Sequence, residues 1–234
     1  DATDEFFLGN PATPAAMVER LSRDRLQFLP GTAYSYCSDS YYLLSALIER
    51  LSGVSFPDDL RNRIFGPLGM AATTFDPSDP GPEAVPLEGP LGPPGLPRDE
   101  VLASFIALAL PGGGLWSTTD DLVRFGQAML LGGTLEGTRV LGRPFVDLMT
   151  RHQTAGIFEI GTGRAPGYAL GWGRPGLGRG SPASPSAFGH NGASGSTLIV
   201  DPAHNLVVVY LRNDWGATMT ATDEAVQAVY AALD

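Results

Sequence analysis

The apolar pattern of this chain changes period near residue 160, and that change limits the possible folds more than any other feature. Before it, apolar residues recur at helical spacing; after it, they run in short extended stretches. Thr13-Pro14 places a capping hydroxyl before a proline suited to the first helical position, so a helix of about three turns carrying Met17, Val18 and Leu21 is predicted. Ser40 opens a stronger helix whose apolar face is Leu43, Leu44, Leu47, Ile48 and Leu51, with Gly53 as its left-handed stop. Pro57 starts a short helix with Leu60, Ile64 and Phe65, ended by Gly66-Pro67. The stretch 99–110 reads as a buried helix ending at Pro111-Gly112-Gly113-Gly114. Ser117-Thr118-Thr119-Asp120 has capping-box spacing ahead of Leu122, Phe125 and Met129, with Gly132-Gly133 as the stop.

Beyond residue 160, Tyr168–Trp172, Gly195–Val200 and Asn205–Leu211 are β-rich, and Asp201-Pro202-Ala203-His204 reads as the hairpin turn joining the last two. A final Ala-rich helix offers Val226, Val229, Tyr230 and Leu233 to that sheet. The class is therefore α+β, an antiparallel sheet flanked by helices, in one domain over 1–234: a mostly helical part over 13–150, then strands and a final helix over 160–234. Gly and Pro number 30 and 20, which points to long loops. Residues 76–98 alone hold eight prolines and four glycines, the composition of a partly ordered surface loop or lid.

Charge narrows the chemistry. All 15 basic residues are arginine, so a Gly-Lys-Ser/Thr phosphate loop, a pyridoxal Schiff base and a lysine general base cannot be built from this sequence. A net charge of −10 with scattered arginines argues against nucleic acid as a partner. The lone Cys37 and the histidines at 152, 190 and 204 have no metal-ligand spacing, and no metal or other cofactor is expected. His152 and His204 read as surface residues. The longest apolar run, Val101–Leu110, is about half of what a membrane span requires. Gly171–Gly176 satisfies Gly-x-Gly-x-x-Gly, but the Gly/Pro/Ser-rich stretch after it cannot form the required helix; there is no Gly-x-Ser-x-Gly elbow. A Cys37 nucleophile with His190 as its base is a minor alternative to Cys37 as a packing residue.

Five blocks carry a larger pattern: Phe28–Gly53 with Tyr36-Cys37-Ser38, Ile64–Met70, Gly112–Leu122, Tyr168–Trp172 and Gly189-His190-Asn191-Gly192-Ala193-Ser194-Gly195. In this order they resemble the serine β-lactamase-related family of class C β-lactamases, D-alanyl-D-alanine carboxypeptidases, D-aminopeptidases and family VIII esterases, from about residue 13 onward. The resemblance implies a β-lactamase/transpeptidase-like fold and hydrolysis of a small-molecule or peptide amide or ester through an acyl-enzyme. Tyr36 matches the tyrosine of the Tyr-x-Asn triplet, and Ser38 stands where Asn is usual, which removes an amide from the substrate-binding set. His190-Asn191-Gly192 matches His-x-Gly. It implies His190 as an electropositive group facing the substrate, Asn191 beside it, Gly192 where backbone passes close, and the Ala193 amide as an oxyanion donor.

The family's Ser-x-x-Lys helix has no counterpart. Ser22-Arg-Asp-Arg25 imitates its spacing only, because arginine keeps its proton, and Ser22 reads as helix surface. With Asp1 as the first residue, the expectation is a piece of a longer product, N-terminally incomplete. It would lack the nucleophile segment and two strands of the sheet, leave an open edge and an uncovered apolar face, and be inert alone. A non-catalytic binding module, or half of a complementing pair whose other chain carries Ser-x-x-Lys, is the alternative. Localisation is not set by the residues present; many relatives are exported.

Overall fold

The computed structural model describes residues 14–78, 84–92, 95–178 and 180–233. Thr13 and parts of the 76–98 loop lie outside them.

The sheet forms where the period change places it. Strands β3 (Phe188–Asn191), β4 (Thr197–Asp201) and β5 (Leu206–Tyr210) are antiparallel in the order β3-β4-β5, with Phe188 opposite Val200 and Val200 opposite Val207. Strand alternation gives each face its own residues. Phe188, Leu198, Val200 and Val207 meet Phe125 and Met129 of helix α6 (Thr119–Leu130), with Trp172 wedged between layers, stacked on Phe125 and edge-on to Phe188. Ala187, Ile199 and Val208 meet Val226 and Tyr230 of helix α8 (Thr220–Ala231) on the other face. Gly126 lets α6 lie this close, since a Cβ there would come within 2.6 Å of Val207. Among the described residues β5 pairs on one side only, as expected of an open edge.

One buried carboxylate ties the α8 face together. Asp201, fully buried at the end of β4, accepts bonds from the Ser184 amide (2.8 Å), the Ser184 hydroxyl, His204 Nδ1 (2.9 Å) and the Tyr230 hydroxyl (2.9 Å). Burial acts to raise its pKa, but the donors of Ser184, His204 and Tyr230 outweigh that and hold it down to about 2. Exposed His204 is therefore a structural partner and not merely a surface residue. Serine, histidine and aspartate meet here, yet the serine donates to the carboxylate and not to the imidazole, so this is no hydrolytic triad.

The helical part is built from α1 (Pro14–Leu21), α2 (Asp39–Ser52), α3 (Phe56–Leu60), α4 (Gly66–Leu68), α5 (Arg98–Ala107) and α6, then a short hairpin β1–β2 (Thr134–Leu135, Thr138–Arg139) and α7 (Arg143–Thr150). Helix α1 is two turns, shorter than expected, and buries Met17 against Tyr42 and Leu108. Helix α2 ends at Gly53 with φ 77°. Its leucine face is open: Leu43, Leu44, Leu47 and Leu51 are 44, 52, 50 and 78% exposed, while Tyr42 and Ser45 are buried. These leucines form an exposed apolar face on α2.

Two local expectations fail for identifiable reasons. Gly66-Pro67 does not end its helix; a π-helical turn over Arg61–Phe65 carries the chain through to Gly69, with the Gly66 amide on the Arg61 carbonyl where a Cβ would be 3.0 Å from that oxygen. The α6 cap is Thr118, one residue later than predicted: Thr118 accepts from the Asp121 amide, while the Ser117 hydroxyl is engaged with Thr73 at 2.8 Å.

Candidate active site

Tyr36 sits on the segment leading into α2, and a single pairing fixes that segment. Tyr34 donates its amide to the Phe158 carbonyl (3.0 Å) and accepts at its own carbonyl from the Ile160 amide (2.9 Å), a parallel bridge to the loop that follows α7. Tyr36 is 55% exposed, its ring stacked beside His190 at 6.1 Å and edge-on to Tyr168 at 6.3 Å. Two predicted residues, 154 positions apart in sequence, thus meet.

The remaining predicted residues divide. Ser38 packs against the glycine run, where a Cβ on Gly112 would be 3.2 Å from the Ser38 Cβ; its hydroxyl makes no hydrogen bond among the described residues. Gly192 donates its amide to the Ser196 carbonyl (2.8 Å) in the β3–β4 turn, so that amide is committed. Ala193, next in the turn, is exposed; its carbonyl accepts from Gly216 and its amide has no partner among the described residues. Asn191 alternates to the α8 face of the sheet, opposite His190, and its side-chain oxygen accepts from Thr197 (2.6 Å). Cys37 is exposed and reduced.

His190 has both nitrogens engaged, Nδ1 with the Asn191 carbonyl (2.7 Å) and Nε2 with the Tyr168 hydroxyl (2.5 Å). That leaves no nitrogen for Cys37 and removes the physical basis of a Cys–His pair. Tyr168 and His152 were not singled out for function by sequence reasoning. His152 is half-buried, not a surface residue: its Nε2 bonds Thr154 (3.1 Å), and it lines a cavity of about 890 Å³ with Tyr168, Arg174 and His190. Arg174 is occupied as a clamp, donating to the carbonyls of Thr150, Pro185 and Ala187.

Three phenols near Tyr36, those of Tyr34, Tyr41 and Tyr168, resist ionisation. Burial and then Glu159 push Tyr34 up to about 12; burial and Tyr36 raise Tyr41; burial, then Tyr34, Tyr36 and Tyr41, raise Tyr168 further. No arginine is among the influences on these three groups. Among the described residues there is no cluster of three or more His, Cys, Asp or Glu able to hold a metal, and no helix long and apolar enough to cross a membrane.

The family profile described as Beta-lactamase matches residues 1–232. Penicillin-binding protein 4 of Amycolatopsis lactamdurans is 35% identical over 208 residues, covering 83% of this chain and 51% of that protein. N-acetylmuramyl-L-alanine amidase of Bacillus subtilis (strain 168) is 27% identical over 222 residues, covering 84% and 48%. The crystal structure of a penicillin-binding protein homologue from Caulobacter crescentus superposes with a TM-score of 0.74 at 22% identity, covering 93% of this chain and 64% of that one. The chain thus spans about half the length of the curated relatives it matches.

Proposed function

This chain belongs to the beta-lactamase family, and from that premise we propose that it forms part of a serine hydrolase that cleaves an amide or ester through an acyl-enzyme. The observation that carries the proposal is the meeting of the Tyr36 and His190 rings, with the Ala193 amide, three residues on from His190, unpartnered among the described residues. In this reading a preceding segment carrying Ser-x-x-Lys supplies the nucleophile, and its leucine-seeking face packs on the open side of α2. Tyr36 moves the serine proton, and the Ala193 amide donates to the oxyanion of the tetrahedral intermediate. A phenol works as a base near neutral pH only when a cation favours its anion, and in this reading the segment's lysine supplies that charge. Ser38 offers substrate a hydroxyl in place of an amide, which weakens contact with an acylamide relative to a simple ester.

The same Ser38, with the open leucine face, favours a second reading: a binding module or one half of a two-chain hydrolase, inert by itself. The intact mass of the protein purified from its native host, before and after a fluorophosphonate or labelled penicillin, separates the two. A mass well above that of this sequence with a stoichiometric adduct is expected of the hydrolase. The sequence's own mass and no adduct would overturn it.

A further inference from the structure

We infer that Tyr168 is a positioning residue for His190, donating its hydroxyl to Nε2 of a ring whose proton sits on Nδ1 and so keeping proton transfer on Tyr36. The inference rests on the serine-hydrolase reading for its catalytic meaning and on hydrogen-bond chemistry for its geometry. A carbonyl oxygen only accepts, so the contact between His190 Nδ1 and the Asn191 carbonyl requires the proton on Nδ1. In a neutral ring Nε2 is then the acceptor, and the Tyr168 hydroxyl, 2.5 Å away, is its donor. Burial and neighbouring phenols favour the protonated Tyr168 that this arrangement needs.

Tyr168 is itself held on every side. Its amide donates to Thr154 Oγ1 (3.1 Å) and its carbonyl accepts from the Gln153 amide (2.9 Å). Its ring lies 5.3 Å from that of Tyr34 and meets His190 edge-on at 6.0 Å. Thr154 in turn bonds His152 (3.1 Å), so a second histidine braces the backbone that aims the phenol. Bound at both nitrogens, His190 can take a proton from substrate only by breaking one of the two bonds or by relay through Tyr168, whose proton burial holds in place. His190 therefore presents a fixed ring face to Tyr36 and leaves base chemistry to it.

The test uses the protein with its preceding segment, labelled with ¹⁵N-histidine, and its Tyr168→Phe variant, which keeps the ring and removes the hydroxyl. Long-range ¹H–¹⁵N correlation is expected to find His190, assigned by a His190→Gln variant, as Nδ1–H alone in the parent and as a tautomer mixture in Tyr168→Phe. In parallel, kcat on a chromogenic ester is expected to fall about tenfold with KM within about twofold, the signature of a misplaced group and not of lost binding. An Nε2–H ring in the parent, or an unchanged ring in Tyr168→Phe, overturns the inference. A parent that forms no acyl adduct overturns the serine-hydrolase reading and with it the kinetic arm, while the ring spectra still decide the hydrogen bond.

Discussion

Helices α2 and α8 have the same kind of apolar side, yet α8 buries Val226 and Tyr230 on the sheet while α2 turns Leu43, Leu44, Leu47 and Leu51 to solvent. Amphipathic spacing specifies a helix and the side it needs covered; it does not specify the cover. On the α8 side the cover is secured by polar bonds as well as apolar area, through the donors converging on Asp201. On the α2 side Tyr42 and Ser45 are buried and Glu49 accepts from the Phe56 amide, while the leucines stay largely exposed.

The largest expected effect breaks the well-covered side. Asp201→Ala would strand the amide of Ser184 and the hydroxyl of Tyr230, and we expect a stability loss of about 3 kcal/mol, read as a lower denaturant midpoint at unchanged slope. A loss below about 1 kcal/mol would mean that the carboxylate does not tie α8 to the sheet. Its pH dependence has a definite sign. The folded pKa of about 2 lies below the ordinary carboxylate value, so the contribution is complete above about pH 4 and drains away as pH falls toward 2.

Leu47→Gln sharpens the comparison from the other side. In the protein with its preceding segment it should cost about 2 kcal/mol if that segment covers α2, and within about 0.5 kcal/mol if the face stays open, by the same denaturation measurement. Gly126→Ala is the smallest of the three, about 1 kcal/mol: the new methyl meets Val207 and Leu198, and helix propensity offsets part of the strain. No loss there would show that α6 and the sheet have slack.

What could be read in advance was whatever is local. The α2 helix and its stop depend on spacing and on one glycine, and both are as expected. The strands of the last hairpin came from a β-branched run, though Gly195 and Ser196 belong to the turn before β4. Tyr168–Trp172 looked extended and is instead a clamped turn with isolated bridges, because Gly171 has φ 77° and the Ala169 amide bonds back to the Trp172 carbonyl. Helix α7 gave little signal: Gly142 precedes it without a side-chain cap and it runs only eight residues. At the site, Tyr36 and His190 were legible through a family pattern. The bond from Tyr168 to His190 was not, since it joins residues 22 apart whose approach is set by the turn at Gly171 and by β3. The displacement of the α6 cap had a similar origin, since the Ser117 hydroxyl bonds the distant Thr73 and the cap passes to Thr118.

The knot at Asp201 also sets an order of events during synthesis. Ser184 and Asp201 are made before Tyr230, which lies 29 residues after Asp201, so a sheet that forms ahead of α8 carries an acid short of one donor and a bare face where that helix will lie. Until that helix is translated, the outer side of the hairpin is an adhesive surface in a crowded cell, and the pace of elongation from Asp201 to Tyr230 governs how long it stays so.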